Sequence, residues 1–140
     1  MQRGRRLAFD YGDVRIGVAV CDPDGILASP VTTLKVGAKD LAKQLQRLCQ
    51  EYEPITIYVG KPSHMDGSSG SAVQKANAFG ELLATICDTP IVFIDERMST
   101  VSAAKNMRQS GVSARDAKSR IDQAAAVAIL EFALSIEKNR

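Results

Sequence analysis

After about residue 40 the apolar residues of this chain change their spacing, and that change limits the fold more than any other feature. Before it, short apolar runs are cut by turn chemistry: Leu7-Ala8-Phe9-Asp10-Tyr11, Gly12-Asp13, Ile16-Gly17-Val18-Ala19-Val20, then Asp22-Pro23-Asp24-Gly25. Pro presets φ and Gly accepts positive φ, so the last of these is a turn, and a third run from Ile26 to Leu34 follows it. The three runs predict an antiparallel meander. After the change, Leu41, Leu45, Leu48 and Tyr52 recur at helical spacing until Pro54. Ile55 to Val59 is a short β-rich run closed by Gly60, and a polar stretch from Lys61 to Ser71 leads into a helix ending near Cys87. Ile91 to Ile94 is a fifth strand, stopping at Asp95-Glu96-Arg97. Two helices, about 100–109 and 120–136, are separated by Gly111. Strands alternating with helices after a meander make an α/β fold whose mixed sheet is covered on both faces, so its strands should be apolar runs.

A chain of 140 residues suits one domain spanning 1–140, able to bury about two thirds of its open-chain surface without staples. With 45% hydrophobic and 24% charged residues, disorder and a disulfide scaffold are excluded. The three cysteines, Cys21, Cys49 and Cys87, are well separated and form no CxxC or Cys/His pair. They read as thiols of a reducing compartment, which argues for a cytoplasmic location and against zinc. The longest apolar runs, such as Ala124 to Leu130, are far short of a membrane span, so no membrane partner is expected.

Net charge is only +2, but its distribution is uneven. Arg3, Arg5 and Arg6 put +3 on the first six residues. Lys105, Arg108, Arg115, Lys118 and Arg120 against Asp116 put +4 on 105–120, leaving −5 on the rest. An acidic body with two basic segments suits a phosphate-backbone binder, although a solvated helix face and a ragged terminus give the same count. With 5% aromatics and no Trp, base stacking should not dominate a nucleic-acid contact.

Acids stand in apolar surroundings at three places. Asp10 lies inside a strand, where it is a turn cap, the partner of a buried Arg, or a cation ligand. Asp95 and Glu96 end another strand on opposite faces. If those strands are parallel, their acids share the carboxyl edge of the sheet, where ligands of open α/β sheets bind. Asp122 opens a nearly all-apolar helix with Ala125, Ala126 and Ile129 on its own face, although the helix dipole also favours an acid in a first turn. Converging carboxylates need a counter-charge, and Mg²⁺ or Mn²⁺ prefers such oxygens. Two such ions about 3.5–4 Å apart can activate water and stabilise a leaving oxygen in phosphodiester hydrolysis.

Four blocks then resemble the YqgF/RuvX family in order and spacing: Phe9-Asp10-Tyr11-Gly12 with Arg15-Ile16-Gly17-Val18-Ala19; Val59-Gly60-Lys61-Pro62 with Met65-Asp66-Gly67-Ser68; Asp95-Glu96-Arg97-Met98-Ser99-Thr100; and Ile121-Asp122 with Ala124-Ala125 and Ile129-Leu130. Maturation of pre-16S ribosomal RNA and resolution of Holliday junctions are both ascribed to that family. The resemblance implies a ribonuclease-H-like fold: a five-stranded mixed sheet, built as a three-stranded antiparallel meander plus two parallel strands, with helices on both faces. It also implies that Asp10, Glu96 and Asp122 are the catalytic, metal-ligating triad. Val14 stands where the family often has a basic residue and Lys61 where it often has an apolar one, which bears on substrate preference rather than chemistry.

The expected function is therefore a metal-dependent endonuclease acting on pre-16S ribosomal RNA. Arg15, Lys61 and Arg97 would contact phosphate beside Lys105, Arg108, Arg115 and Lys118, unless Arg15 and Arg97 simply pair with Asp95 or Asp13. Asp66-Gly67-Ser68-Ser69-Gly70 is a loop at a strand end, His64 an exposed loop residue, and Ser99 or Thr100 a helix cap. The alternatives are cleavage of branched DNA, which needs two sites and hence a homodimer, and a non-catalytic nucleic-acid-binding factor. An actin-like ATPase is set aside because the chain is too short for two lobes.

Overall fold

The computed structural model describes residues 1–62, 70–98 and 115–140, the side chains of 115–119 excepted. The expected helix at 100–109, Asp66, Ser68 and Ser69 of the loop, His64, Ser99, Thr100, Lys105 and Arg108 lie outside the described residues, as do the side chains of Arg115 and Lys118. Five strands, β1 (Arg6–Tyr11), β2 (Arg15–Cys21), β3 (Ala28–Lys35), β4 (Thr56–Lys61) and β5 (Ile91–Asp95), form one sheet in the order β3-β2-β1-β4-β5. β1, β2 and β3 pair antiparallel, and β4 runs parallel to both β1 and β5. The meander and the mixed sheet are as the sequence predicts.

The faces follow from strand alternation. Leu7, Phe9, Ile16, Val18, Ile57 and Val59 point to one side and pack against Leu45 and Leu48 of α1 (Leu41–Tyr52) and Phe79 and Leu83 of α2 (Gly70–Ile86). Ala8, Ala19, Tyr58 and Ile94 point to the other and pack against Ala125, Ala126, Ile129 and Ala133 of α3 (Arg115–Lys138). Alanine dominates the α3 interface, which lets that helix lie close to the strands. Among the described residues, no helix is long and apolar enough to cross a membrane.

Several expectations need correction. Ile26 and Leu27 do not begin β3; they are 75% and 65% exposed in the turn, where the Asp22 carboxylate accepts both their N–H groups at 2.7 Å. β3 lies at the sheet edge and is mostly half-buried, so it does not form the doubly covered apolar run expected. Gly60 lies inside β4 rather than after it. The helix read as starting at 120 starts at Arg115, which puts Asp122 about two turns in, beyond the reach of a first-turn dipole argument. The cysteines are not three separate thiols: Cys49 and Cys87 are disulfide-bonded, and Cys21 is free and buried. The ends of α1 and α2 meet beneath the sheet, a proximity that a separation of 38 residues conceals. This pairing removes the argument from thiol count to a reducing compartment.

The N-terminal basic segment is also not a simple surface patch. Arg6 is fully buried at the start of β1, and its guanidinium donates to Glu137 of α3 at 2.9 and 3.2 Å and to the Gln2 carbonyl at 2.6 Å. The Tyr58 hydroxyl donates to the same carboxylate at 2.7 Å. Burial alone would raise the Glu137 carboxyl, but the bonds from Arg6 and Tyr58 outweigh it and hold it below its ordinary value. Burial, reinforced by the bond to Glu137, pushes the Tyr58 phenol well above its ordinary value.

Glu137→Gln leaves a buried guanidinium without its counter-charge and should lower unfolding free energy by about 3 kcal/mol at neutral pH. Because the folded carboxyl lies below its unfolded value, its contribution is present above the ordinary carboxylate range and lost as pH falls through the folded pKa. Denaturant unfolding of both proteins from pH 7 downward should show the two curves converging.

Candidate metal and nucleic-acid site

Asp10 is the last inward residue of β1 on the α3 face, and it is 3% exposed. Both of its neighbours across the sheet are glycines: Gly17 of β2 and Gly60 of β4. Residues directly opposite one another share a face, so the absent side chains leave space on either side of the Asp10 carboxylate. One of the other predicted acids stands at each gap, with Ile129 also filling the second. A Cβ at Gly17 would collide with the main-chain carbonyl of Asp122. A Cβ at Gly60 would collide with Ile129 and lie 3.4 Å from Glu96 Oε1. Glu96 reaches there because it follows β5 directly, in a single 3-10 turn, Glu96–Met98, beyond the edge where Lys61 pairs with Asp95. The structure thus brings the main chain of Asp122 and the carboxylate of Glu96 to opposite sides of Asp10.

Asp122 is buried, 4% exposed, and its Oδ2 accepts the Nε–H of Arg15 at 2.7 Å. Arg15 opens β2 on the same face as Gly17, with 28% of its side chain exposed. The next residue of α3, Gln123, donates to Thr33 Oγ1 of β3 at 3.1 Å, and Thr33 is the cross-strand partner of Gly17. Two polar ties therefore seat this turn of α3 on the meander.

The other predicted phosphate contacts fall elsewhere. Lys61 points to the α1/α2 face, opposite the acids, with Nζ 5.1 Å from the Phe93 ring centroid in a cation–π contact. Arg97 holds Asp95: its main-chain N–H and its Nη2 each donate to that carboxylate at 2.9 Å. Those bonds from the Arg97 side chain and main chain keep the Asp95 carboxyl below its ordinary value and the Arg97 guanidinium above its own. Of the two pairings considered, Arg97 with Asp95 is the one found. Arg15 pairs with neither Asp95 nor Asp13, and Asp13 is bonded instead by Lys75 of α2 at 3.3 Å.

The donor set suits a hard dication, since Asp10, Glu96 and Asp122 offer oxygen alone and two glycines keep bulk away from it. Among the described residues, no three His, Cys, Asp or Glu side chains form a finished metal shell, and Asp122 is engaged by Arg15. The residues fit the ion in kind, with the third acid turned to a guanidinium. Sequence reasoning missed Gly17 and Gly60 as site residues, although a glycine inside an apolar strand is the usual mark of a close backbone approach.

The sequence model of the RuvX family, described as Holliday junction resolvase, matches residues 4–136. Proteins named "Putative pre-16S rRNA nuclease" from Streptomyces avermitilis and Streptomyces coelicolor are each 50% identical over 142 residues, covering 99% of this chain and 90% and 84% of theirs. One of the same name from Nocardia farcinica is 49% identical, covering 92% of this chain and 76% of its own. Thermus thermophilus RuvC, solved in complex with a Holliday junction substrate, aligns over 96% of both chains with TM-score 0.63 at 15% identity. That likeness assigns the fold to the RuvC, ribonuclease-H-like type.

The Asp122 carbonyl leaves no space for a methyl group at Gly17. Gly17→Ala should therefore lift α3 from the meander, lowering unfolding free energy by about 1–3 kcal/mol. Amide exchange should quicken at 121–125 before it does in α1, and uniform protection across both helices would contradict this account.

Proposed function

Because the chain belongs to the RuvX family, also called YqgF, we propose that it is a divalent-metal-dependent endonuclease acting in 5′-end maturation of pre-16S ribosomal RNA. The observation that carries this reading is the placement of buried Asp10 between two glycines, with the main chain of Asp122 against one and the Glu96 carboxylate beside the other. A carboxylate buried in a strand lowers stability unless a partner group or an ion offsets the cost.

Asp10, Glu96 and Asp122 would hold Mg²⁺ or Mn²⁺, as one ion or a pair. When bound, the ion supplies a hydroxide-like nucleophile from water and charge stabilisation at the scissile phosphate. The chain's own part is to hold the donors. Asp10 is fixed by its strand and its burial. Glu96 is set by the turn that ends β5. Asp122 is set by the seat of α3 on Gly17. Arg15 is close enough to the acids to take a non-bridging phosphate oxygen, and Arg97 stands at the same carboxyl edge, half exposed. Lys61, on the far side of the sheet, would meet only a strand of nucleic acid that wraps that edge. Lys105, Arg108, Arg115 and Lys118 would follow the backbone beyond the site. A pre-ribosomal substrate places the protein in the cytoplasm.

Branched DNA is the second reading, favoured by the description of the matching family and requiring two copies of the chain. Cleavage of a pre-16S transcript and of a four-way junction, each with and without Mn²⁺, tests both. Asp10→Asn should lower metal-dependent cleavage by orders of magnitude while binding persists. Undiminished cleavage would remove the catalytic assignment, and binding without any turnover in the unaltered protein would leave a non-catalytic factor.

Alanine at Lys105, Arg108, Arg115 and Lys118 together should reduce the slope of log binding constant against log salt by about 3, because fewer counterions are released. An unchanged slope would return that segment to a solvated helix face.

A further inference from the structure

The third acid of the site is already held by a cation of the protein's own. Asp122 Oδ2 and Arg15 Nε are 2.7 Å apart, on a carboxylate that is 5% exposed and a guanidinium that is 28% exposed. Across the sheet, Glu96 Oε1 lies beside Gly60, with Asp10 between the two. Among the described residues these acids do not close into a metal shell as they stand. One of the three carboxylates is ion-paired with a guanidinium anchored on β2. The contact uses Nε of a guanidinium side chain that remains partly exposed to solvent. A phosphate presents the paired oxygens that a guanidinium binds best.

We infer that Arg15 is a positioning residue that holds Asp122 away from the metal until a phosphate of the nucleic acid draws its guanidinium off. This inference rests on the metal-site reading above and adds an order of events to it. Without nucleic acid, Asp10 and Glu96 offer a weak two-carboxylate site. With nucleic acid, Arg15 moves its charge to the phosphate, and Asp122 becomes available as the third ligand. The ion and the phosphate therefore assist one another, and by linkage each must raise the other's affinity by the same factor. The device would keep a tightly bound, water-activating ion from forming where there is no phosphodiester to cut.

The test reads metal affinity rather than cleavage. Mn²⁺ binding is followed by loss of the free-ion electron paramagnetic resonance signal for the unaltered protein, Arg15→Gln, Asp122→Asn, and the double variant. Each is measured with and without a short RNA duplex of hydrolysis-resistant phosphorothioate linkages, the duplex's own Mn²⁺ uptake being subtracted. In the unaltered protein the duplex should tighten Mn²⁺ binding about tenfold. Arg15→Gln should bind Mn²⁺ about tenfold more tightly than the unaltered protein without duplex, and the duplex should add little more. In the Asp122→Asn background, replacing Arg15 should change nothing, because the residue it acts through is gone.

Arg15→Gln with unaltered Mn²⁺ affinity overturns the inference. So does a gain that persists in Asp122→Asn, which would be the field effect of a lost positive charge. If Arg15→Gln does not fold, Arg15→Lys serves: a single ammonium bond should leave Mn²⁺ affinity between those of arginine and glutamine, and no change overturns the inference. Asp10→Asn separates the two levels of the argument. Mn²⁺ uptake that ignores Asp10 removes the metal site and this inference together. Uptake that needs Asp10 but ignores Arg15 removes this inference alone.

Discussion

Burying the Asp10 carboxylate is the constraint to which the rest of the site answers. A carboxylate 3% exposed in the middle of a sheet is tolerated only where its surroundings are polar or charged. Here the flanking positions on both neighbouring strands have no side chain at all. That choice sacrifices strand propensity at Gly17 and Gly60, and it leaves the carboxylate open to groups arriving from outside the sheet. α3 descends on both gaps, through the Asp122 carbonyl at Gly17 and Ile129 at Gly60, and the Glu96 carboxylate stands beside the second. On the proposed reading, three acids with one arginine among them would supply the negative charge that recruits a dication.

The same interaction appears at both ends of the contact between α3 and the sheet, with opposite consequences. Near its start, Asp122 takes Arg15 of β2; near its end, Glu137 takes Arg6 of β1. The two acids are separated by 15 residues, about 22 Å along the helix. Arg6 is fully buried and spreads its bonds over a carboxylate and two main-chain carbonyls, so exchanging its partner would strand a charge. Arg15 makes a single bond through Nε and keeps 28% of its side chain in contact with solvent. Exposure and bond number, rather than residue type, separate a fixed clamp from an exchangeable one. The helix can be held rigidly at its far end while the end at the acids remains responsive to ligand.

Much of this was legible in the sequence, for identifiable reasons. Asp10 and Asp122 stand out because an acid among apolar residues violates the local pattern. The meander and the mixed sheet follow from turn chemistry and a change of period. What eluded sequence reasoning depended on tertiary approach. Arg6 reads as part of a basic terminus, since nothing local shows that Glu137, 131 positions away, will meet it. Cys49 and Cys87 read as separate thiols because their proximity exists only once α1 and α2 lie side by side. Asp122 reads as a first-turn acid because the polar residues 115–119 hide the true start of the helix. Lys61 and Arg97 were grouped with Arg15 by nearness to the same sheet edge, whereas strand alternation assigns Lys61 to the opposite face and a two-residue turn binds Arg97 to Asp95.

Asp95 and Glu96 show how finely the phase of a strand decides function. They are adjacent and chemically alike. Asp95 faces the α2 side and is capped by its own turn, whereas Glu96 faces Gly60. A slip of β5 by one residue would exchange them, because side chains alternate with a period of two. Two contacts on opposite faces oppose that slip. Ile94 is buried under α3, and the Phe93 ring rests where a Cβ at Gly80 of α2 would collide with it. Pairing with β4 holds the same alignment, residue by residue from Ile57 and Ile91 to Lys61 and Asp95. The carboxylate beside Gly60 is therefore selected by packing some distance from the site. On the proposed catalytic reading, core substitutions at Phe93 or Ile94 would act on the site through register, without touching an acid.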